Sequence, residues 1–286
     1  MLTVFGDESH DEKQQRIFAV AGIMGTQEEW DRLKPEWNER LKNHPWNPPI
    51  EEPSFHAADC DADQEDFKGI PHETNQQLYK DLVTLLVKAN MVGFGVIMDL
   101  VAYGQYFPGY MPSSPYQLCF HRVVTWFAQN TYMYQPHQQV KFIFDVSENN
   151  FSTGFLYDNL VHSSGWKYAQ QLFEELGFAG RKSVGIQAGD ILAREGMKHF
   201  DNFFISLSGR DTRSSMQALG KTGRYVFRFI GKDDFETFIQ QSETEEWKRI
   251  DEELRGYESW LNKNGLADNQ TNRNKYFVML QNKGKK

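Results

Sequence analysis

A chain of 286 residues with 40% hydrophobic and 24% charged residues is long enough for one large domain with a substantial core, and its composition is that of an ordinary globular protein. No apolar stretch nears the roughly 18 residues of a membrane span, and the two cysteines, Cys60 and Cys119, lie far apart in no CxxC pattern, which excludes a disulfide scaffold and a thiolate zinc site. The net charge of −8 argues against coating duplex nucleic acid by bulk electrostatics, and the lack of a basic segment followed by an apolar run gives the expectation of a cytoplasmic protein.

In chain order, LTVFGDES and RIFAVAGIM (Arg16 to Met24) are β-compatible runs joined by polar HDEKQQ, which predicts a hairpin. TQEEWDRLKPEWNERLKN carries a capping box from Thr26 to Glu29 and Trp30, Leu33, Trp37 and Leu41 at helical spacing. Pro35 is expected to kink that helix. The Pro-rich, acidic segment near 44–75 reads as an irregular loop insertion. Within it, DCDADQEDFKGI begins like a calcium loop but has Gln64 where Gly is required and Ile70 where the bidentate Glu belongs, so it reads as a mobile acidic loop.

A helix over NQQLYKDLVTLLVKAN leads to a third strand, VGFGVIMDLV, whose glycines predict close packing or a bulge. The aromatic helix SPYQLCFHRVVTWFAQNTYM follows. VKFIFD then has the continuous apolar run of a central strand, closed by Asp145. GFLYDNLV and WKYAQQLFEEL read as helix. In VGIQAGDILAREGMKHF, Ile186, Gly189, Ala193, Met197 and Phe200 share one packing face, and Gln187, Asp190 and Arg194 fall on a neighbouring polar stripe. TGRYVFRFIG is a candidate strand, EEWKRIDEELRGYESWLNKN a charged helix, and the last fifteen residues a frayed tail. The division expected is 1–235 for the main domain and 236–286 for a charged helical extension and tail.

Three acids stand in comparable settings: Asp7 and Asp145 each close an apolar strand, and Asp190 interrupts an apolar helix. Carboxylates so placed are costly unless paired or bound to a cation. Two parallel neighbouring strands would present Asp7 and Asp145 at one end of the sheet, and a helix packed there would add Asp190. Oxygen ligands of this kind suit Mg²⁺, and two such ions can activate water and stabilise a leaving oxygen in phosphodiester cleavage. The plainer reading of Asp7 is a turn residue bonding local backbone. His56, in SFHAAD, is either a hydrogen-bonded structural residue or a group that protonates a leaving oxygen or contacts phosphate. From His44 to Asn75 eight acids face the single base Lys68, and from Arg181 to Lys232 ten bases face four acids. That reversal is either a phosphate track beside an acidic site or two solvated faces. No GxxxxGK[ST], GxSxG or GxGxxG motif occurs.

FGDES, RIFAVAGI, SFHAAD, FIFDVSENN and IQAGDILA, in this order, resemble the domain-of-unknown-function 3800 family over roughly Met1 to Phe204; GDES and IQAGDILA are the most specific pieces. The resemblance implies an α/β, ribonuclease H-like fold: a mixed five-stranded sheet flanked by helices, here with a C-terminal helical extension. It also implies a carboxylate-bound divalent metal and nuclease activity. Carried over by position, Asp7, Asp145 and Asp190 become metal ligands, Glu8 the acid beside the first, and His56 an assisting group. Lys182, Gln187 and Arg194 are expected to orient ligands or bind phosphate. Ribonuclease H-like enzymes often draw another acid from the helix after the third strand, but PSSPYQLCFHRVVTWFAQ supplies none. Glu8 is the first substitute, although strand neighbours point to opposite faces, and Glu148, Asp59 and Asp99 are weaker ones. The expected function is a nuclease dependent on Mg²⁺ or Mn²⁺ that hydrolyses phosphodiesters in RNA or DNA. The alternatives are another phosphoryl substrate at the same site, and a metal-binding scaffold or nucleic-acid-binding protein without turnover.

Overall fold

The computed structural model describes residues 1–107, 114–147, 149–163, 169–240 and 243–283. The chain begins with β1 (Leu2–His10), β2 (Ile17–Thr26), α1 (Gln27–Lys42), α2 (Ala57–Ala62), α3 (His72–Lys88), β3 (Val92–Asp99) and α4 (Leu100–Tyr106). It continues with α5 (Pro115–Tyr134), β4 (Val140–Asp145), α6 (Asn150–Ser163), α7 (Ala169–Leu172), β5 (Phe173–Ala179) and α8 (Val184–Phe200). It ends with α9 (Ser214–Lys221), β6 (Tyr225–Ile230), α10 (Lys232–Gln240), α11 (Glu243–Asn264) and α12 (Gln270–Lys283). Among the described residues, no helix is long and apolar enough to cross a membrane.

The first hairpin forms because Asp11 closes its turn, its Oδ1 accepting the backbone N–H groups of Gln15, Arg16 and Ile17. The sheet order is β5-β4-β1-β2-β3-β6. Only β2 opposes the rest in this sheet: it pairs antiparallel with β1 and β3, whereas β1–β4, β4–β5 and β3–β6 are parallel. The fold is therefore α/β and ribonuclease H-like. The expected five strands become six, because TGRYVFRFIG adds β6 beside β3. The β3 glycines serve close packing rather than a bulge: a Cβ at Gly93 would lie 2.4 Å from the Tyr225 ring and one at Gly95 2.8 Å from the Phe227 ring.

One sheet face packs against α5, burying Val4, Val20, Val96, Phe127, Phe142 and Phe144. The other packs against α8, α1 and α3 through Phe5, Ile23, Trp30, Trp37, Leu82 and Ile191. The Thr26–Glu29 capping box forms, and α1 continues through Pro35, which lies on its exposed side. Two glycines set the distance of α8 from β1. A Cβ on Gly185 would stand 2.2 Å from Phe5 Cγ, and one on Gly189 would stand 3.1 Å from Asp7 N and Gly6 Cα.

Three sequence expectations are corrected. WKYAQQLFEEL is helical only over Ala169–Leu172 among its described residues. Phe173 onward is strand, because pairing with β4 and the cross-strand Lys141–Glu175 ion pair at 2.7 Å outweigh the helical preference of Glu and Leu. The acidic insertion is anchored, with α2 inside it and Phe55, Cys60, Phe67 and Ile70 buried. The C-terminal segment is not frayed over its described part: α12 buries Tyr276 and Phe277 against Phe155 and Tyr257. Position 236, where the extension was expected to start, falls inside α10.

Gly185→Ala is expected to lower stability by about 1–3 kcal/mol, since the added methyl must displace the Phe5 ring from a packed core. Urea denaturation reads this directly. A midpoint equal to wild type would mean that α8 does not sit on Phe5 as described.

Candidate functional site

The β1–β4 register runs to Gly6 opposite Phe144, so Asp7 and Asp145 follow one residue further on adjacent parallel strands. Alternation places Asp7 on the side of Phe5 and Asp145 on the side of Ile143, both toward α8. From α8, the buried Asp190 joins them because Gly189 rests on the Gly6–Asp7 backbone. Asp190 Oδ2 accepts the Ala57 N–H at 2.7 Å, and Asp7 Oδ1 accepts the Glu8 N–H at 2.8 Å. As the side chains stand, no group of three or more His, Cys, Asp or Glu among the described residues is close enough to enclose an ion.

The acids act on one another electrostatically. Burial holds the Asp7 carboxyl well above the usual range, and the charges of Asp190, Glu8 and Asp145 push it further against the pull of the Glu8 N–H. Asp190 and Asp145 are also raised, in each case chiefly by burial. Opposing that rise are His56, the Ala57 N–H, Arg194 and Arg181 at Asp190, and the Val146 N–H, Arg181 and His56 at Asp145. The charge of Asp190 is the largest of those that raise Asp7.

Glu8 turns to the other sheet face. It lines a cleft of about 260 Å³ with His10, Phe18, Tyr116, Ser147 and Asn149, and its Oε2 is buried without a hydrogen-bond partner. Burial, followed by the Asp145 charge, pushes its carboxyl up to about 7. The sequence placed Glu8 beside Asp7; the structure sets the two back to back across β1.

His56 precedes α2 with Nδ1 2.6 Å from Asp59 Oδ2, a close approach without hydrogen-bond alignment. Asp99 is a helix cap, accepting the N–H groups of Val101 and Ala102, and Glu148 lies outside the described residues. The residues expected to bind phosphate are engaged within the protein. Buried Gln187 accepts Trp37 Nε1–H at 2.7 Å and donates to the Arg181 carbonyl at 2.8 Å. Lys182 meets Glu52 at 2.6 Å. Arg194 meets Asp61 at 3.0 Å. Arg213 donates to the same Asp61 oxygen at 2.9 Å and approaches Glu195 at 3.2 Å, and Ser215 also donates to Glu195, at 2.7 Å. Burial alone would raise Asp61, but the Arg213 and Arg194 guanidiniums hold it below the usual carboxylate range. Much of the charge reversal seen in the sequence is thus pairing of the acidic insertion with the basic stretch. The residue that sequence reasoning missed is Arg181, whose charge acts on Glu8, Asp145 and Asp190. Its only signal was its position at the head of the basic stretch, just before the helix of Asp190.

No family model matches the chain, and no curated protein matches it significantly. Among solved structures it is similar to the ribonuclease HII of Archaeoglobus fulgidus, described in a complex with PCNA, at 12% identity and a TM-score of 0.37, over 79% of this chain and 92% of that one. That overlap is too loose to bear on the site, whose reading rests on strand order and side chains.

Two outcomes are expected. In EDTA the folded chain holds protons that the unfolded chain releases, because these carboxyls are raised; stability therefore falls as pH climbs from about 4.5 to about 7, taking Glu8 as the guide. Glu8→Gln should recover on the order of 3 kcal/mol at pH 8 and little at pH 4, measured by urea denaturation at both values. Equal gains at the two pH values would refute a raised Glu8. Separately, Arg213→Ala should cost ~3 kcal/mol by leaving the buried Glu195 unpaired, whereas Arg210→Ala at an exposed site should stay within about 0.5 kcal/mol.

Proposed function

We propose that the chain is a divalent-metal-dependent nuclease that hydrolyses phosphodiester bonds of RNA or DNA at Asp7, Asp145 and Asp190. The observation that supports this most is that three carboxylates from β1, β4 and α8 lie on one side of the sheet and all are raised by burial, and Asp7 also by its neighbours' charges. None of the three is in a salt bridge among the described residues. An all-oxygen donor set suits Mg²⁺ or Mn²⁺. Glu8, on the far face, is the weaker candidate for a further ligand. Membership of the domain-of-unknown-function 3800 family, on the GDES and IQAGDILA motifs, is part of the same proposal.

Bound at these acids, Mg²⁺ or Mn²⁺ would activate a water and stabilise the leaving oxygen. The chain's own residues supply the remainder. Asp7 presents its oxygens from within β1 and Asp145 from the end of β4, and α8 covers Asp7 and keeps bulk water from it. The Ala57 N–H fixes Asp190. His56, held beside Asp59, is placed to give a proton to a leaving oxygen, and Arg181 to meet a phosphate. The same Ala57 bond, which engages an Asp190 oxygen, is what favours the rival reading of a scaffold without turnover.

Melting curves and a nuclease assay on single- and double-stranded RNA and DNA separate the two. Wild type should melt higher with Mg²⁺ or Mn²⁺ than with EDTA, because a cation that binds only the folded state stabilises it. Asp145→Asn should lose most cleavage and most of the metal-dependent shift, while its metal-free form is as stable as wild type or more so. A turn residue would instead lose about 1 kcal/mol with no link to metal. Absence of a metal-dependent shift at millimolar ion, with the variant still cutting, would end the proposal; a shift without cleavage would leave the scaffold.

A further inference from the structure

The C-terminal end of α8 runs into a π-helical turn, Asp201–Ile205, that projects apolar side chains into solvent. Phe203 is 45% exposed, Phe204 57% and Leu207 74%. Leu207 has a φ of 44°, a left-handed conformation that costs a leucine about 1–2 kcal/mol. The turn and the 207–212 segment enclose an open cleft of about 570 Å³, lined by Phe203, Leu207, Asn202, Gln217, Arg210 and Asp211. The Phe203 ring is backed by His199, with centroids 4.7 Å apart. Phe204 is braced separately on Phe229 at 5.0 Å. Exposed Arg210 is in no ion pair among the described residues, and neither is Lys198, half-buried one turn before Asn202.

We propose that this cleft is a nucleobase-binding site for single-stranded nucleic acid, with an unpaired base stacked on Phe203 and the adjoining phosphates met by Arg210 and Lys198. This rests on the nuclease reading and names its substrate as an unpaired strand. A base has an apolar face and a hydrogen-bonding edge. The cleft offers both, an exposed ring for stacking and, for an edge, the Asn202 amide N–H groups and the Gln217 amide oxygen left over from the bonds of Asn202 Oδ1 to Ser208 and of Gln217 Nε2 to the Thr212 carbonyl, together with Arg210 for a backbone. A base inside a duplex cannot enter such a cleft without leaving its stack. The occupant follows from the ring and its cation together: beside Phe203 the cleft carries Arg210, exposed and in no ion pair among the described residues, and although Asp211 also lines it, a stacked base with its phosphate uses ring and guanidinium at once, which a second copy of a chain of net charge −8 does not.

The cleft also lies further along the helix that carries Asp190. Asp190 and Phe203 are separated by thirteen positions along α8 and its continuation, a span of ~20 Å at helical rise, or about six stacked nucleotides. A strand of that length would pass the Asp190 end with one phosphodiester and leave a base in the cleft.

The test is fluorescence anisotropy of a labelled twelve-nucleotide single strand, as DNA and as RNA, and of the matching duplex, all in EDTA so that nothing is cut. Wild type should prefer the single strand. Phe203→Ala should weaken that binding by roughly 5- to 150-fold, the usual worth of one stacked base, and Phe203→Trp should restore it. Arg210→Ala should weaken binding and flatten its salt dependence. Tyr134→Ala, another exposed ring at 77% on α5, should bind as wild type. Equal affinity for duplex and single strand, or wild-type binding by both Phe203→Ala and Arg210→Ala, overturns the site. So does unchanged binding with a shift from dimer to monomer in light scattering, which would assign the patch to self-association. These outcomes are independent of the metal-dependent melting of Asp145, so the cleft can fail while the metal site stands, and the reverse.

Discussion

The contact on which the rest of this molecule depends is backbone against backbone: Gly189 of α8 on Gly6 and Asp7 of β1, where a Cβ would have only 3.1 Å. A helix this close to a central strand delivers its next residue, Asp190, into the space above Asp7 without a layer of side chains between them. The consequence is two carboxyls in a water-poor gap, each penalised by burial and Asp7 further by its partner. A packing solution that stabilises the fold therefore creates a local electrostatic cost, and the neighbouring elements are arranged around it. The start of α2 turns an N–H toward Asp190, and Asp61 in the same helix takes hold of Arg194 one turn along α8. The insertion that reads as loose acidic loop is thus a clamp on the helix that carries the buried acid.

Charge is distributed in two shells. At the centre the acids are opposed by the Glu8, Ala57 and Val146 N–H groups and, at longer range, by His56, Arg181 and, at Asp190, Arg194. Around them the strong pairs are made elsewhere: Arg194 and Arg213 on Asp61, and Arg213 again on Glu195. Had those guanidiniums reached Asp7 or Asp145, the centre would be neutral and closed to a cation. Because breaking such a buried pair costs far more than forming an exposed one returns, Arg194 and Arg213 are poor candidates for meeting a substrate. Within the basic stretch, Arg181, Lys198, Arg210, Lys221 and Arg224 are in no ion pair among the described residues, and neither net charge nor the run of bases singles them out.

What the sequence made legible follows from how local each signal is. Asp7 and Asp145 stood out because an acid after an apolar run is visible within a few residues, although only Asp145 ends its strand and β1 continues past Asp7 to His10 on its pairing with β2; Gly189 stood out because helical spacing placed it on the packing face. The back-to-back arrangement of Asp7 and Glu8 was readable from the two-residue period of a strand. Phe173–Ala179 was not, since Glu and Leu favour helix and only the distant edge of β4 makes them a strand. The partners of Arg194, Arg213 and Lys182 were hidden for the same reason: each ion pair joins the 44–75 segment to residues more than a hundred positions away, and two complementary charge runs look alike whether they pair with each other or face solvent. The sixth strand was visible as apolar alternation, but its place beside β3 was written in Gly93 and Gly95, which make room for the Tyr225 and Phe227 rings.

The same helix links the acids to the exposed aromatic turn, and this constrains function more than either feature does alone. A loop between two binding elements lets their spacing vary, so a ligand that bridges them must order the loop on arrival. Here the spacing is set by α8, whose glycines fix one end on β1 and whose other end is held by Phe200 stacked on Phe229 of β6 at 5.4 Å and by Arg16 meeting Asp201 at 3.2 Å. Both anchors belong to the sheet, so the distance from Asp190 to Phe203 is a property of the sheet itself. A flexible strand that engaged both ends would bear all the conformational cost while the protein bore almost none. Such a rigid ruler would select ligands by contour length, and β6 adds to what holds it: Phe229 supports Phe200 beside Ile17 and Ala19 of β2 and Ile97 of β3, which pack with Met197.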